Sequence, residues 1–337
     1  MNYVEILKKL TAVAQPSGLE HPQAQVLEEL AKPYVDEIYT DAVGNLICHK
    51  KGPGKKMMLC AHMDVIGFMV TFIDQRGFLR FAPVGGHTSG EILGAVVKGE
   101  SGVYGSIWAD DTVPADVTMN SLDKTDMYID IGAADKAEAE QLAPIGSYFT
   151  FAAATEDTGF GTVMTPYADN LAGCAVLLDA MQQIREPKND LYFVFSSQEE
   201  VGLRGAKAAA WSIAPDVGIA VDVTDTGDAP CCPEVGRMAV KVGAGPTIKY
   251  KDSSLLCNPQ VIAHLIKSAA KVGVACQNEV LVAGGTDAGA MQRSRGGVLS
   301  GAVSLPCRNI HTPGEVVSLS DMEGAAKVVA AAAELEF

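Results

Sequence analysis

The run Met57-Met58-Leu59-Cys60-Ala61 contains no polar residue and is followed at once by His62-Met63-Asp64. A strand without apolar/polar alternation is one buried on both faces, which restricts the chain to a sheet with helices packed on either side. The pattern recurs. Leu191-Tyr192-Phe193-Val194-Phe195-Ser196 leads into Ser197-Gln198-Glu199-Glu200-Val201-Gly202, and Val217-Gly218-Ile219-Ala220-Val221 leads into Asp222. Helical segments fall at 171–184, 205–211, 259–272 and 322–335. Helices alternating with apolar strands predict an α/β fold, a mixed and mostly parallel sheet flanked by helices. Sheets of that kind place their chemistry beyond the carboxyl ends of the strands.

Residues 68–160 read differently. Short β-like runs, Gly77-Phe78-Leu79-Arg80-Phe81, Val96-Val97-Lys98-Gly99 and Gly102-Val103-Tyr104-Gly105-Ser106-Ile107, are separated by turn residues, with one helix near 134–140. Strands at that spacing predict a small β-barrel. The expected organisation is a catalytic domain in two pieces, 1–67 and 161–337, with the barrel at 68–160 inserted between them. At 337 residues, 48% hydrophobic and 20% charged, the chain can bury a sizeable core. A net charge of −15 argues against a nucleic-acid binder and disfavours anionic membranes, since no basic patch is available to neutralise phosphates. No apolar run is long enough to span a bilayer. Met1 to Lys9 reads as an amphipathic helix rather than a signal peptide, and the 8 cysteines form no CxxC pair. Both features predict a cytoplasmic protein with reduced, buried thiols. The doublet Cys231-Cys232 is the exception, because it falls in a loop beside the presumed site.

The candidate chemistry lies where the apolar strands end. A lone strand-end histidine such as His62 is more often structural than a ligand, an aspartate before a helix such as Asp169 is usually an N-cap, and a Glu-Glu pair is usually solvated surface. Recurrence changes that balance. His62, Asp169, Glu199, Glu200, Asp222 and His311 would bring two imidazoles and four carboxylates together. Such a set suits two divalent cations about 3.5–4 Å apart, bridged by one carboxylate, with one glutamate left over as a base. Nitrogen and oxygen donors without thiolate fit Zn²⁺ or Co²⁺, and Mn²⁺ is compatible. Asp64 is placed to accept the second ring N–H of His62 or to lie behind it. Gly284-Gly285-Thr286-Asp287 is expected to floor a substrate pocket, since glycine lets a ligand approach the backbone. Arg308, beside so many acids, is expected to neutralise a carboxylate, with a substrate contact as the second option. Neighbouring residues of a strand face opposite ways, so Glu199 and Glu200 share a cleft only if the chain bends, and Gly202 is the candidate bend.

On these residues the chain resembles the M42 metallo-aminopeptidases, a family that includes the tetrahedral TET peptidases and chains labelled glucanases. The matching segments are Pro16-Ser17-Gly18-Leu19-Glu20, Asp41-Ala42-Val43-Gly44-Asn45, Ala61-His62-Met63-Asp64-Val65-Ile66-Gly67, Ile129-Asp130-Ile131-Gly132-Ala133 and Ala168-Asp169-Asn170. Gly173-Cys174-Ala175, Gln198-Glu199-Glu200-Val201-Gly202-Leu203-Arg204-Gly205-Ala206, Gly284-Gly285-Thr286-Asp287-Ala288 and Ile310-His311-Thr312-Pro313 complete the match, in the family's order and over nearly the whole chain. The resemblance implies a zinc-peptidase-like domain in which His62 and Asp222 hold one metal, Glu200 and His311 the other, and Asp169 bridges them. Glu199 would be the general base and Asp64 the partner of His62. It also implies cleavage of the N-terminal bond of short peptides by metal-activated water, and self-association through the inserted domain into a homododecamer. Three departures bear on substrate preference and assembly rather than on the ligands. Leu171 stands where the family commonly has arginine, Asn309 where tyrosine is usual, and His87-Thr88 where an aromatic residue is frequent. Two other readings use the same residues. One is a metal-dependent amidohydrolase or deacylase of small N-acyl substrates. The other is a metal-binding protein without turnover, against which the surplus glutamate argues. A glycosidase needs only two carboxylates and would leave the histidines without purpose.

Overall fold

The all-apolar run around Leu59 is the middle of a strand, Lys56–His62, with a hydrophobic core on each side of it. The computed structural model describes residues 1–110, 122–230 and 238–337, so Cys231-Cys232 lies outside the described residues. The strands are β1 Glu37–Thr40, β2 Leu46–Lys50, β3 Lys56–His62, β4 Gly67–Ile73, β5 Leu79–Val84, β6 Val96–Gly99, β7 Tyr104–Ala109, β8 Met127–Asp130, β9 Tyr148–Phe151, β10 Glu156–Asp157, β11 Thr162–Thr165, β12 Asp190–Ser196, β13 Val217–Thr224, β14 Thr247–Lys251, β15 Gln277–Val280, β16 Leu299–Arg308 and β17 Glu315–Ser318. The helices are α1 Tyr3–Thr11, α2 His21–Ala31, α3 Ser89–Ile92, α4 Lys136–Leu142, α5 Ala168–Gln183, α6 Arg204–Ile213, α7 Pro259–Val272, α8 Asp287–Gln292 and α9 Leu319–Ala333.

Among the described residues an 11-stranded sheet runs β1-β2-β12-β3-β13-β16-β17-β11-β10, with β14 on β16 and β15 on β14. Parallel pairing is found for β12–β3, β3–β13, β13–β16 and β14–β15. The remaining pairs are antiparallel, so the sheet is mixed, with β12, β3, β13 and β16 as its parallel centre and β14–β15 as a parallel pair at its margin. Alternate residues of β3 serve different cores. Met57, Leu59 and Ala61 join the core that holds α5 and α9, whereas Met58 and Cys60 pack with Ala206 and Ala209 of α6 and Ala288 and Met291 of α8. Each fully buried Met or Leu side chain contributes about 1.5–3 kcal/mol.

The inserted strands close a barrel in the order β4-β5-β8-β7-β6-β9, which leaves no free edge. Phe68, Phe81, Ile107, Ile129 and Phe149 fill it. The barrel strands end at Phe151, and Glu156-Asp157 already pairs with β11 of the large sheet.

Local signals explain which ends were predictable. Helix α7 spans the expected 259–272 because Asn258 caps it, Pro259 opens it and Gly273, at φ 67°, stops it. Helix α9 starts before the expected 322, since the Ser318 side chain accepts the Asp321 N–H. Strand β13 runs on to Thr224, which puts Asp222 inside the strand rather than after it.

Candidate active site

Strand β12 stops at Ser196, and the chain turns at Gln198, whose φ is 54°. The bend therefore precedes both glutamates, while Gly202 (φ 120°) and Leu203 (φ 57°) only complete the turn into α6. Asp64 holds this turn. Its Oδ1 accepts the Glu199 N–H at 3.0 Å, and its Oδ2 accepts the Glu200 N–H at 3.2 Å and the Ser17 hydroxyl at 2.6 Å. Glu20 Oε1 accepts the N–H of Gln198 at 2.9 Å and of Gly18 at 2.8 Å. Asn45 accepts the Ser197 N–H at 2.9 Å and donates to the Gly205 carbonyl at 3.0 Å. So shaped, the turn sends Glu199 and Glu200 into one cleft of about 640 Å³, also lined by His62, Asp169, Asp222 and His311.

The main chain of Asp64 orients His62. Its carbonyl lies 3.1 Å from His62 Nδ1 and accepts that N–H, while the carboxylate Oδ1 stands off at 3.6 Å. Nε2 is thereby directed at the cleft. It lies 3.1 Å from Asp169 Oδ1, 3.7 Å from Asp222 Oδ1 and 3.9 Å from Glu199 Oε2. His311 Nε2 lies 3.3 Å from Asp169 Oδ2 and 3.4 Å from Glu200 Oε1. Asp169 thus stands between the two imidazoles with one oxygen towards each.

Asp169 does not cap α5. Its dihedrals (φ −81°, ψ 103°) are not helical, and Asn170 caps instead by accepting the Gly173 N–H at 3.1 Å. The fully buried Glu315 accepts the N–H of Asp169 at 2.8 Å and of His311 at 2.7 Å, tying both segments to β17. Asn309 sits at φ 59°, in the left-handed region that asparagine tolerates better than tyrosine. A Cβ on Gly86 would come within 3.3 Å of His311 Nδ1, so glycine leaves that ring its place. His87 serves as the aromatic residue expected at its position. It stacks on Phe68 with centroids 4.6 Å apart and donates to the Gly67 carbonyl at 3.0 Å. Burial holds its pKa down to about 4, so it is neutral at pH 7.

The electrostatics call for positive charge at two places. Burial opposes charging of His311, yet Asp169 and Glu200 push its pKa up to about 12. His62 is likewise raised against burial, by Glu199, Asp169 and Asp222. Burial would raise Asp169, but His311 and His62 hold it well below the usual carboxylate range. Glu199 moves the other way. Burial raises it well above its ordinary value, His62 opposes, and the carboxylates of Asp222, Asp287 and Glu200 add to the rise. Asp169 Oδ1 and Glu200 Oε1 are buried, face imidazole nitrogens and have no partner in hydrogen-bond geometry. Orphaned carboxylate oxygens beside imidazole nitrogens fit divalent cations. Ligand atoms of His62, Asp169 and Glu200, and of His62, Glu199 and Asp222, lie within 4.8 Å of one another. This grouping differs from the division implied by the resemblance, which keeps Glu199 off the metals.

The remaining expected residues divide. Gly285 lines the cleft, whereas Thr286 and Asp287 are buried and are not part of its lining. Thr286 Oγ1 donates to Asp222 Oδ2 at 2.7 Å and so orients that side chain. Asp287 accepts from the Ser196 hydroxyl and from Cys60 Sγ at 3.2 Å, and burial pushes it up to about 6. Arg308 is absent from the cleft lining. It forms a bidentate pair with Asp228, Nε to Oδ1 at 3.1 Å, so it neutralises that carboxylate. Glu315 was not singled out from sequence, and Asn170, Asn45 and Glu20 stood only within the segments that match the family, with no role given to them. Each is a lone polar residue whose partner is distant in the chain or unremarkable in type.

Solved structures that share this architecture include peptidases. An aminopeptidase from the archaeon Desulfurococcus kamchatkensis superimposes with a TM-score of 0.93 at 34% identity, covering 98% of this chain and 94% of that one. The TET1 peptidase of Pyrococcus horikoshii, which assembles into a tetrahedron or a large octahedral shell, matches with a TM-score of 0.87 at 31% identity, covering 98% and 99%. In sequence, a putative aminopeptidase from Acetivibrio thermocellus is 45% identical over 325 residues, 96% of each chain. Residues 44–328 match the model of the M42 glutamyl aminopeptidase family. The chain belongs to that family and is a peptidase, a hydrolase.

Proposed function

We propose that this peptidase removes the N-terminal residue of short peptides, using two divalent cations, Zn²⁺ or Co²⁺ with Mn²⁺ compatible, held by His62, Asp169, Glu200, Asp222 and His311. The placement of Asp169 carries this reading, with one carboxylate oxygen 3.1 Å from His62 Nε2 and the other 3.3 Å from His311 Nε2. A carboxylate between two imidazoles is suited to join two metal positions. Bound there, such ions would polarise a carbonyl and make water more acidic.

Glu199 is the proton carrier. Its carboxylate lines the cleft 3.9 Å from His62 Nε2 and is placed to take a proton from the attacking water and deliver it to the departing amine nitrogen. Asp64 positions it by fixing the backbone turn from which it projects. The surplus of acids suits a free α-ammonium group on the substrate, and Gly284-Gly285 lets the peptide backbone come close. The inserted barrel is the proposed self-association domain of a homododecamer, supported by Phe72, Tyr104, Trp108 and Ile145, which it leaves exposed. No helix among the described residues is long and apolar enough to cross a membrane, and the described cysteines are free, as suits a reducing cytoplasm.

Aminoacyl-anilides assayed beside their N-acetylated forms test the reading. Hydrolysis of the free-amine substrates alone, lost with a chelator and restored by added metal, is expected. Equal hydrolysis of the N-acetylated forms would point to an amidohydrolase instead.

A further inference from the structure

A lysine is buried near the site without touching the cleft. Lys249 of β14 is 1% exposed, and its ammonium lies 2.7 Å from Glu279 Oε1 and 3.3 Å from Asp252 Oδ2, both carboxylates buried. Burial alone would lower its pKa, but Glu279, Asp252 and Asp222 raise it above the ordinary lysine value, so it stays charged. Lys249 does not line the cleft. A buried ion pair is also weak evidence for stability, because apolar residues of similar volume often serve as well. The groups that this charge holds lead to the site by two arms.

One arm runs through Glu279. Asp222 of β13 stands opposite Ser304 of β16, and Ser304 opposite Thr247 of β14, so the three share one face of the sheet. Thr224 and Lys249, each two residues further along its strand, lie on that face too. Glu279, opposite Lys249 on β15, accepts the Thr224 hydroxyl at 2.8 Å and also the hydroxyl of Thr247. It thereby pins the last residue of β13, two positions beyond Asp222.

The other arm runs through Asp252. Its Oδ1 accepts the N–H of Ser254 and of Leu255, each at 2.7 Å, and the Ser254 hydroxyl at 2.9 Å. That turn grips the segment that carries Gly284-Gly285. The Ser253 N–H donates to the Gly284 carbonyl at 3.2 Å, and Ser254 Oγ accepts the Thr286 N–H at 3.2 Å. Thr286 Oγ1 in turn donates to Asp222 Oδ2 at 2.7 Å. Both arms end on Asp222, one through its strand and one through its carboxylate.

We infer that Lys249 is a positioning residue, which holds the Asp222 carboxylate towards one metal position and sets the affinity of that position alone. The inference rests on the two-metal reading and adds the residues that tune it. With Oδ2 engaged by Thr286, Oδ1 is the oxygen turned to His62, 3.7 Å from its Nε2. Groups that orient a metal ligand from behind typically change metal affinity about 10–100-fold.

The test dialyses the metal-loaded protein against decreasing free Zn²⁺ and counts the metal left per chain by elemental analysis. Thr286→Val removes the hydroxyl on Asp222, and Lys249→Met removes the charge. Each should release one metal at about 10–100-fold higher free Zn²⁺ and leave the release of the other unchanged. Thr286→Ser, which keeps the hydroxyl, should match the parent. In an Asp222→Ala background, both substitutions should leave the remaining metal unaffected, whereas general damage to the fold would loosen it. If Lys249→Met does not fold, Thr224→Val, which removes only the hydroxyl tying β13 to Glu279, should loosen the same single metal. Loosening of both metals alike, of neither, or of the one that remains in the Asp222→Ala background overturns the inference and leaves the two-metal reading intact. A parent chain that holds fewer than two metals overturns that reading and the inference with it.

Discussion

At the scale of single residues, Glu199 and Glu200 are adjacent in sequence yet differ in role. Glu199→Gln removes a titratable group while keeping its size, so metal content should be unchanged and turnover should fall by about 10²–10⁴-fold. Glu200→Ala should instead lose one metal per chain, read by elemental analysis. Activity in metal-loaded Glu199→Gln, or full metal content in Glu200→Ala, would contradict this division. His87 supports a prediction about pH. Its folded pKa, about 4, lies below the ordinary 6.5. The folded state therefore disfavours the proton, and the associated stability is intact above pH 6.5 and lost as pH falls from there towards 4. A shift of that size amounts to ~3 kcal/mol across the window. His87→Phe keeps the ring against Phe68 and should flatten the pH dependence of denaturant midpoints between pH 6.5 and 4. The same slope in variant and parent would argue against a buried neutral imidazole. Residues such as His62 and Asp222 were legible because they follow strongly apolar runs. Glu315 was not, because nothing in Thr312-Pro313-Gly314-Glu315 reveals that two N–H groups from different segments will meet on one carboxylate.

At the scale of elements, the decisive piece is the link between β12 and α6. Sequence alone implied that a bend was needed and placed it at the glycine, since Gly202 is the residue that most readily takes positive φ. The structure bends at Gln198 instead, because Asn45, Glu20 and Asp64 supply acceptors for the four consecutive N–H groups of residues 197–200. Tertiary hydrogen bonds overrode the local preference, and such partners leave no trace in the local sequence. Glycine matters one step later. A Cβ on Gly205 would fall 2.2 Å from Asn45 Oδ1 and 2.3 Å from the Ser197 carbonyl oxygen. Gly205→Ala should therefore cost about 1–3 kcal/mol in denaturant unfolding and should lower kcat, since the turn that aims both glutamates must shift. A variant of parental stability and activity would mean that the turn is not held where described. Helix α7 shows the opposite case, where cap, proline and terminal glycine all lie within the sequence window and the boundaries follow directly.

At the scale of the whole molecule, the division into α/β sheet and barrel follows from patterning, because unbroken apolar runs and short glycine-punctuated runs demand different packing. The strand order does not, since β12 entering between β2 and β3 depends on contacts far apart in the chain. Exposed aromatic residues on the barrel lead to an expectation of a large assembly in sedimentation at micromolar concentration, and a stable monomer would remove the support for self-association through that domain. Strand β3 has a further consequence. It is fed by two cores, so it can separate only when both give way, and its amides should be among the last to exchange with solvent. His62 stands at the end of that strand, whereas His311 sits in a loop secured chiefly through Glu315. The two halves of the site are thus anchored in regions of unequal persistence. On warming, the half that depends on His311 would loosen first, while the half built on His62 would survive until the fold itself is lost.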